Sequence, residues 1–335
     1  MPEKPYVPPY KITEAIIHLV SEISEQVGVI AIKNEAVANL QLRRENQIKS
    51  IHSSLAIENN SLSLEQVTDI ICGKRVLGAP GEIREVKNAY EAYNLLFTFD
   101  PFSIEDMLSA HSVLMADLTN EAGRFRSGGV GVFAGEKLVH MAPLANVVPK
   151  LMSELIRWLK ISDAHPLIKS CVFHYEFEFI HPFADGNGRM GRMWQTLLLS
   201  QWKPVFAWLP VERLILENQQ EYYDVLAASD KAADSTAFIE FMLRAIRDAL
   251  NELLQTEQVR EQVTEQVERL IAALGKETLS AKELLDRLGL KHRPTLSKNY
   301  LRPALELGLI EMTIPNKPNS SKQRYRGKVT VKLGE

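Results

Sequence analysis

Residues 181–192, His-Pro-Phe-Ala-Asp-Gly-Asn-Gly-Arg-Met-Gly-Arg, bring together groups that could act on phosphates. The Asp-Gly-Asn-Gly stretch cannot hold regular structure, so we expect a loop that opens into a helix near Gly188. Such a loop presents unpaired amide groups and the positive end of the helix dipole to anions. Arg189 and Arg192, three residues apart, would share one helix face and grip successive phosphates. The run therefore predicts a site for a polyphosphate.

Two side chains in the same run predict the chemistry done there. The imidazole of His181 has an ordinary pKa of about 6.5, which suits removal of a proton near neutrality. Asp185 supplies the loop's carboxylate, the ligand type that Mg²⁺ prefers, and is the candidate metal ligand. A P-loop ATPase is excluded because Gly73-Lys74 and Gly275-Lys276 lack both the upstream glycine and the following hydroxyl.

The run resembles the motif of the Fic family, His-Pro-Phe-x-Asp/Glu-Gly-Asn-Gly-Arg-x-x-Arg, at every defining position, and the similarity extends over about 37–254. The resemblance implies a protein adenylyltransferase in which His181 deprotonates a target hydroxyl that attacks the α-phosphorus of ATP. It implies that Phe183 anchors the loop and that Asp185 holds Mg²⁺. Gly188, a lysine in related phosphorylating members, favours adenylyl over phosphoryl transfer. The implied ATP and phosphate site comprises Gly186, Asn187, Gly188, Arg189, Met190, Gly191 and Arg192.

Two other segments resemble elements that regulate or complete the Fic site. Ser54-Leu-Ala-Ile-Glu58-Asn is similar to the family's inhibitory motif, and the resemblance implies that Glu58 pairs with Arg192 and blocks the γ-phosphate position. The inhibitory helix is expected at about 50–60. Tyr222 and Tyr223 resemble the tyrosine pair of the adenine pocket.

A third segment, 123–140, resembles the flap that clamps the target beside the site. Gly-Arg-Phe-Arg at 123–126 precedes a predicted hairpin at 130–140, and Val139 and His140 would pair with the target. The family often ends its flap in His-x-Pro-Pro. Here the sequence is His140-Met-Ala-Pro143, so this part of the resemblance is weaker.

The elements that must position these residues are predicted to be helices. Four prolines in the first ten residues predict an extended arm. Alternating strand-like runs are scarce before the C-terminus, so we expect a mainly α fold: a helical Fic domain with a short β-hairpin flap and a small C-terminal winged-helix domain. Apolar residues at helical spacing predict helices in 12–27, 34–51, 64–71, 86–97, 104–118, 147–160, 167–180, 189–201, 218–228 and 235–254.

The C-terminal part differs from the rest in pattern and charge. Three Glu-Gln-Val repeats in 257–268 predict a helical linker, and 281–288 and 294–307 have helix-turn-helix spacing before strand-like 310–314 and 324–333. From Lys276 onward, 13 lysines and arginines stand against 6 acidic residues, although the whole chain has a net charge of −3. The predicted segments are an arm and first helix at 1–36, the catalytic domain at 37–254, a linker at 255–270 and a winged helix at 271–335.

Length and composition are consistent with this scheme. The 335 residues suggest about two domains. No apolar stretch is long enough for a membrane span, the N-terminus lacks a secretory signal, and the two cysteines, Cys72 and Cys171, have no disulfide or zinc spacing. These features predict a cytoplasmic protein.

Other interpretations stay open. The same His181 and Glu58 could orient a water that removes AMP from a modified protein, or the chain could be a DNA-binding regulator with a nucleotide-sensing Fic domain. His111 and His174 are expected to be structural, and the tyrosine pair could be core packing. Expected partners are ATP with Mg²⁺, a target protein bearing a Tyr, Thr or Ser hydroxyl, itself as a target, a second copy, and DNA at the winged helix.

Overall fold

The mainly helical fold predicted from the sequence is confirmed by the computed structural model of the chain. Contacts divide the chain into two compact units, Met1–Glu252 and Leu253–Glu335. The finer division into four segments stays a prediction. The structure describes residues 6–34, 40–134, 137–275, 277–306, 308–316, 320 and 322–327, with only the backbone described in 32–34, 40–41, 132–134, 137–140 and 256–264.

The first unit is a helical array with one hairpin. Its elements are α1 Glu14–Asn34, α2 Leu40–Ile57, α3 Leu64–Ile71, α4 Pro80–Leu95, α5 Ile104–Leu114, β1 Gly131–Ala134, β2 Lys137–Met141, α6 Val148–Ile161, α7 Pro166–Ile180, α8 Asn187–Trp202, α9 Val211–Glu217 and α10 Gln219–Ala232. A further helix, α11 Thr236–Leu274, begins in this unit and ends in the second.

Local sequence signals set several helix ends. Ser63 and Gln66 form a capping box that begins α3, each side chain accepting a hydrogen bond from the other residue's amide. The Ser103 hydroxyl accepts from an amide in the first turn of α5. Pro166 begins α7, at a position where a helix does not use the amide hydrogen.

The core of the first unit lies around α7, which packs against α8. Residues on nearly every side of α7 are buried, including Phe173 and Phe177, so this helix runs through the interior. From α8, Met190 and Trp194 are fully buried against the same core. The two helices that flank the loop at 181–186 are therefore rigidly placed.

The predicted hairpin is present. β1 and β2 are antiparallel, Gly131 pairs with Met141, and the register shifts between Val132 and Phe133. Such a shift inserts one unpaired residue and twists the ribbon, which is common beside functional sites.

The second unit has its own core and a small sheet. Ser280 and Glu283 form a capping box, and Gly289 ends the helix in the left-handed conformation. Leu284, Leu296, Leu301 and Ile310 lie in its core. Its elements are the end of α11, β3 Leu279–Ser280, α12 Ala281–Leu288, α13 Arg293–Leu296, a π-helical turn Ser297–Leu301, α14 Arg302–Glu306, β4 Ile310–Met312 and β5 Arg324–Gly327, in antiparallel sheet order β3-β5-β4.

The structure adjusts several predicted bounds. The segment predicted as a linker lies inside the continuous helix α11, and α4 begins six residues before the predicted 86 because Pro80 fits the first helical turn. α9 was not predicted because seven residues carry too few periods to be recognised. Residues 6–13 of the arm have no regular structure, while Pro2, Pro5 and 328–335 lie outside the described residues.

Within the described residues, no helix combines the length and the apolar character that a membrane crossing requires.

Candidate active site

The site is built on the loop between α7 and α8, which starts with a helix cap at His181. This residue takes the left-handed conformation, φ 50° and ψ 60°, and its amide donates to the carbonyl of Phe177 at 2.9 Å. The conformation ends α7, since a right-handed helix cannot continue through it. It is uncommon for a residue with a Cβ and persists only where surrounding contacts hold it.

Arg126, from the segment before the hairpin, supplies such contacts. Its Nε donates to the carbonyl of His181 at 2.7 Å, and its amide donates to the carbonyl of Pro182 at 2.9 Å. Its terminal nitrogens donate to the carbonyls of Gly128, at 2.9 Å, and Pro143, which lie on either side of the hairpin. The side chain is 3% exposed, and burial lowers its pKa. One buried guanidinium therefore ties the base of the hairpin to the backbone of the predicted catalytic histidine.

His111, on α5, fixes the middle of the loop. Its ring stacks on Phe183 with centroids 3.7 Å apart and planes 5° from parallel. Its Nδ1 accepts from the amide of Gly123 at 2.9 Å, so the proton lies on Nε2, which donates to the carbonyl of Asp185 at 3.0 Å. Burial lowers the pKa of His111 to about 4, and the ring is neutral at pH 7. The histidine is structural, as expected, but its contacts are with the site.

The end of the loop is closed by Asn187. Its Oδ1 accepts from the amide of Phe183 at 2.8 Å and its Nδ2 donates to the carbonyl of the same residue at 2.9 Å. The side chain is buried. Gly186 before it has φ 84°, where a Cβ would also meet the Met115 side chain, so this position needs glycine. Asn187 thus holds the turn that begins α8, and its predicted contact with phosphate stays a prediction.

Arg189 is paired with two carboxylates. Its Nη2 lies 2.8 Å from Asp185 Oδ1, and its Nη1 lies 3.1 Å from Glu85 Oε1 on α4. The other oxygen of Glu85 accepts from the Asn60 side chain at 2.8 Å. The side chain of Arg189 is only 7% exposed, so Glu85, a residue that the sequence analysis did not single out, helps to neutralise a nearly buried cation.

Arg192, one turn later on α8, is held by the end of α2. Its Nη2 donates to Glu58 Oε1 at 2.8 Å and to the carbonyl of Ser54 at 2.8 Å, and its Nε donates to the Ser54 hydroxyl at 3.0 Å. Burial acts to lower the pKa of Arg192, but the charge and hydrogen bond of Glu58, together with Tyr222 and Glu178, raise the pKa overall. The structure thus brings Ser54 and Glu58 to Arg192, which lies more than 130 residues later in the sequence.

The turn after α2 explains the asparagine that follows the glutamate. Asn59 is left-handed, with φ 69°. The amide of Asn60 donates to the carbonyl of Leu55, and that of Asn59 donates to the carbonyl of Ala56, which together form a Schellman closure. Glu58 is consequently the helix cap. Asparagine tolerates the left-handed conformation better than most residues, so it suits this position.

The remaining residues of the predicted phosphate site lie on α8. A Cβ on Gly188 would collide with Glu58 Oε1 and lie 3.0 Å from Arg192 Nη1. Gly191 allows α8 to approach α7, because a Cβ there would meet the side chains of Glu178 and His174. Met190 is fully buried beneath the loop. Of these three positions, Gly188 is the one at the ion pair.

The two tyrosines of α10 differ in environment. Tyr222 is 2% exposed, its hydroxyl pairs with His174 Nε2 at 3.1 Å, and its ring contacts Phe238. Burial lowers the pKa of His174 to about 3, so that ring is a neutral core residue. Tyr223 is 42% exposed, and its hydroxyl donates to the carbonyl of Ile57 at 3.2 Å. Only Tyr223 presents a substantial surface to a base, while Tyr222 supports it at a ring distance of 5.3 Å.

The predicted target-binding residues Val139 and His140 lie on β2, where His140 pairs with Val132. Their side chains fall outside the described part of the chain, so their predicted contacts stay predictions.

The arrangement joins His181, at the end of α7, by a short loop to the N-terminus of α8, whose first turns carry two arginines. Such a site can bind an anion of several phosphates and take a proton from an incoming group. Sequence reasoning gave no site role to Glu85 or His111, and it placed Arg126 in the flap segment without a contact to the loop. The only signal for them is that each is a polar residue in an apolar helical or flap-like segment, which does not identify its distant partner.

Comparisons with known proteins agree with the motif. A model of the Fic/DOC family matches residues 101–199, and the model described as "Filamentation induced by cAMP protein Fic-like, C-terminal domain" matches 265–327. The Fic protein adenylyltransferase of Nematostella vectensis is 28% identical over 224 residues, 63% of this chain and 49% of that protein. The corresponding protein of Aedes aegypti is 27% identical over 226 residues, 63% of this chain and 43% of that protein. The chain thus spans about half the length of the curated relatives it matches.

Solved structures give the widest coverage. The crystal structure of a Fic family protein from Desulfovibrio desulfuricans G20 is 55% identical, covers 97% of this chain and 99% of that chain, and superposes with a TM-score of 0.75. A fragment of Fic-1 from Caenorhabditis elegans is 22% identical, covers 73% of this chain and 76% of that one, and has a TM-score of 0.59, which shows a shared fold.

Proposed function

Because this chain belongs to the Fic family, we propose that it transfers AMP from ATP to a hydroxyl side chain of a protein and that Glu58 restrains the reaction. The observation that carries the proposal is the loop at 181–192. There His181 ends α7 six residues before a helix whose first turns carry two arginines, one of them already paired with Glu58. The curated relatives named as protein adenylyltransferases support the reaction class.

In the proposed reaction His181 takes the proton of the acceptor hydroxyl. The hydroxyl oxygen forms a bond to the α-phosphorus of ATP, the bond from that phosphorus to the bridging oxygen breaks, and pyrophosphate leaves with the electron pair. A positioned base of this kind accounts for about 10²–10⁴ in rate. The Arg126 contact to the His181 carbonyl holds the backbone from which the imidazole extends.

The arginines take the phosphates in the proposed complex. Arg192 exchanges Glu58 for the γ-phosphate, and the exchange of one anion for another keeps the buried guanidinium neutralised. Arg189 keeps Glu85 and, with Arg192, holds the outer phosphates. The first amides of α8, from Asn187 onward, point toward the same anion. Glu58 thus occupies the place of the γ-phosphate on Arg192 and restrains AMP transfer.

Mg²⁺ fits this donor set as a partner of the nucleotide. Among the described residues no group of three or more His, Cys, Asp or Glu gathers as a metal cage. Asp185 alone offers a half-exposed carboxylate in the loop. Mg²⁺ often binds through one carboxylate with phosphates and waters completing its shell. Asp185 would hold the ion, which supplies neutralisation of phosphate charge when bound.

The adenine of the proposed substrate rests on Tyr223, whose ring is the exposed one of the pair. Target recognition is assigned to β2, where Val139 and His140 would pair with an extended segment of the target. Cys72 and Cys171, neither of them in a disulfide, support a cytoplasmic location.

A transfer assay tests the proposal. Purified parent, Glu58→Gly and Glu58→Gly/His181→Ala proteins are incubated with Mg²⁺ and ATP labelled on the α-phosphate, with and without cell lysate. Transfer to protein by Glu58→Gly, at least tenfold above the parent and absent in the double variant, is the expected result. Label that stays at background in Glu58→Gly, or that survives loss of His181, contradicts the proposal.

Removal of AMP is the second reaction that this site could perform. The pairing of Glu58 with Arg192 leaves a carboxylate beside the loop, where it could orient a water for attack on an AMP-protein. Incubation of purified AMP-protein from the labelling assay with the parent enzyme, without ATP, distinguishes AMP transfer from AMP removal. Release of AMP that depends on Glu58 would favour the hydrolase.

The C-terminal unit is proposed as a winged helix that binds a polyanion, with duplex DNA as the candidate. A cavity in that unit is lined by Lys282, Arg293, Lys322, Arg324 and Tyr325. Binding of labelled duplex DNA should weaken with added salt and fall in Arg293→Ala/Lys322→Ala, because these cations neutralise phosphates. Affinity that is the same in parent and variant would exclude this surface.

A further inference from the structure

The last carbonyl of α2 is held by two side chains of α10. The final carbonyls of a helix have no partner within it. In α2 the Schellman closure satisfies the carbonyls of Leu55 and Ala56. The carbonyl of Ile57 instead accepts from Gln219 Nε2 at 2.9 Å and from the Tyr223 hydroxyl at 3.2 Å.

This contact fixes the residue that follows. The carbonyl of Ile57 and the amide of Glu58 belong to one planar peptide unit, so holding the first orients the second. From that unit the Glu58 side chain reaches Arg192 Nη2 at 2.8 Å. The Glu58 side chain is 32% exposed, so the position of its backbone contributes to where the carboxylate lies.

We propose that Gln219 and Tyr223 are positioning residues for Glu58, and that α10 thereby sets how firmly the inhibitory pair is held. The proposal rests on the function given above. It adds that Glu58 is placed by a helix that the inhibitory motif does not include.

The same contact links the inhibitory pair of Glu58 and Arg192 to the proposed binding site for the adenine base. Tyr223 is the exposed aromatic side chain on which the adenine rests in the proposed complex, and its hydroxyl is one of the two donors to Ile57. A base that shifts Tyr223 loosens the turn that carries Glu58. Gln219 contacts the Tyr223 hydroxyl but supplies no aromatic surface, so it can be changed while the ring on which the base stacks is kept.

The test uses Gln219→Leu, which removes the amide donor and keeps the size of the side chain. The matched control is Gln220→Leu on the same helix, because Gln220 is exposed and donates only within α10, to Asp224 at 3.0 Å. Each change is made with Glu58 present and in the Glu58→Gly background. AMP transfer is measured in all variants, and amide hydrogen exchange is followed in the peptide that covers 55–62.

With Glu58 present, Gln219→Leu should raise AMP transfer about threefold to tenfold, the fold-change that corresponds to the net free energy of one hydrogen bond. It should also speed amide hydrogen exchange in the turn at 55–62. Gln220→Leu should do neither. In the Glu58→Gly background Gln219→Leu should leave transfer within about twofold of its parent, since there is no carboxylate left to position.

Two outcomes overturn the inference: exchange and transfer unchanged by Gln219→Leu, or the same change in transfer in both backgrounds. If Glu58→Gly itself transfers no AMP, the proposed function fails, and the exchange measurement still decides whether Gln219 holds the turn.

Discussion

The Oε1 atom of Glu58 fills the space that a side chain at Gly188 would need, since a Cβ on Gly188 would collide with that atom. The carboxylate at the end of α2 fits against α8 only where α8 has no side chain. Gly188 therefore has a structural reason to be glycine apart from its expected place in the phosphate site: it admits the group that pairs with Arg192.

Gly188→Ala should consequently have opposite effects in two backgrounds. With Glu58 present, the new Cβ pushes the carboxylate away from Arg192 and should destabilise the fold by about 1–3 kcal/mol. In Glu58→Gly the carboxylate is gone and the remaining close atom is Arg192 Nη1, at the end of a long side chain, so alanine in a helix should stabilise by about 0.5–1 kcal/mol. Urea unfolding of the parent, Gly188→Ala, Glu58→Gly and the double variant gives the free energy of coupling between the two positions. Equal effects of Gly188→Ala in both backgrounds would show that the two residues do not compete.

Glu58→Gly should lower stability while raising AMP transfer. The change leaves the buried Arg192 guanidinium without its carboxylate. Because Glu58 is about one-third exposed, the expected loss is about 1–3 kcal/mol, less than for a fully buried pair. Mg²⁺ and ATP should restore stability more in this variant than in the parent, since the γ-phosphate takes the vacant place. Thermal unfolding with and without nucleotide measures both effects.

Glu58→Gln is the matched control for that experiment. It keeps the length and one acceptor but removes the charge, so it should lie between the parent and Glu58→Gly in stability and in response to ATP. A Glu58→Gly protein as stable as the parent without nucleotide would show that the pair does not contribute to the fold.

The sequence revealed this site unevenly. The loop at 181–192 could be predicted because its residues are adjacent, and the bracketing helices because their apolar spacing is regular. The link from Glu58 to Arg192 could be stated only through the family resemblance. Arg126, His111 and Gln219 bind backbone carbonyls, whose positions depend on the folded chain. Nothing in a side chain's type says which distant carbonyl it will meet.

His111 should make the fold sensitive to acid. Its pKa is about 4 in the folded protein and about 6.5 when unfolded, so the unfolded state takes up the proton first as pH falls. Its contribution is complete above about pH 6.5 and is lost as pH falls toward 4, by about 2 kcal/mol between pH 7 and pH 5. His111→Gln keeps a donor for the Asp185 carbonyl and does not titrate.

The free energy of unfolding, measured by urea at pH 7 and pH 5, checks this. The loss on acidification should be smaller by about 2 kcal/mol in His111→Gln than in the parent. His18→Gln, at an exposed site on α1, is the control and should follow the parent. A loss of equal size in parent and His111→Gln would mean that the buried ring is not the acid-sensitive group.

Arg126→Met should slow the chemical step while leaving ATP binding nearly intact. The change removes the donors to the carbonyls of His181 and Pro143, so the left-handed residue and the base of the hairpin lose their common anchor. A shift of about 1 Å in a reacting group can reduce rate by about 10². In the Glu58→Gly background we expect kcat for AMP transfer to fall by about that factor and KM for ATP to change less than about threefold.

The matched control is Arg124→Met, two residues earlier, where an exposed guanidinium donates to the carbonyl of Asn120. It removes the same charge and the same chain length without touching the loop, so its kcat should equal that of the Glu58→Gly parent. Arg126→Lys keeps one donor, and partial recovery of kcat would indicate that the contact to His181 matters more than the charge. Because Arg126 contacts no proposed phosphate site, a large rise in KM with kcat unchanged would instead place its role in nucleotide binding and contradict the assignment.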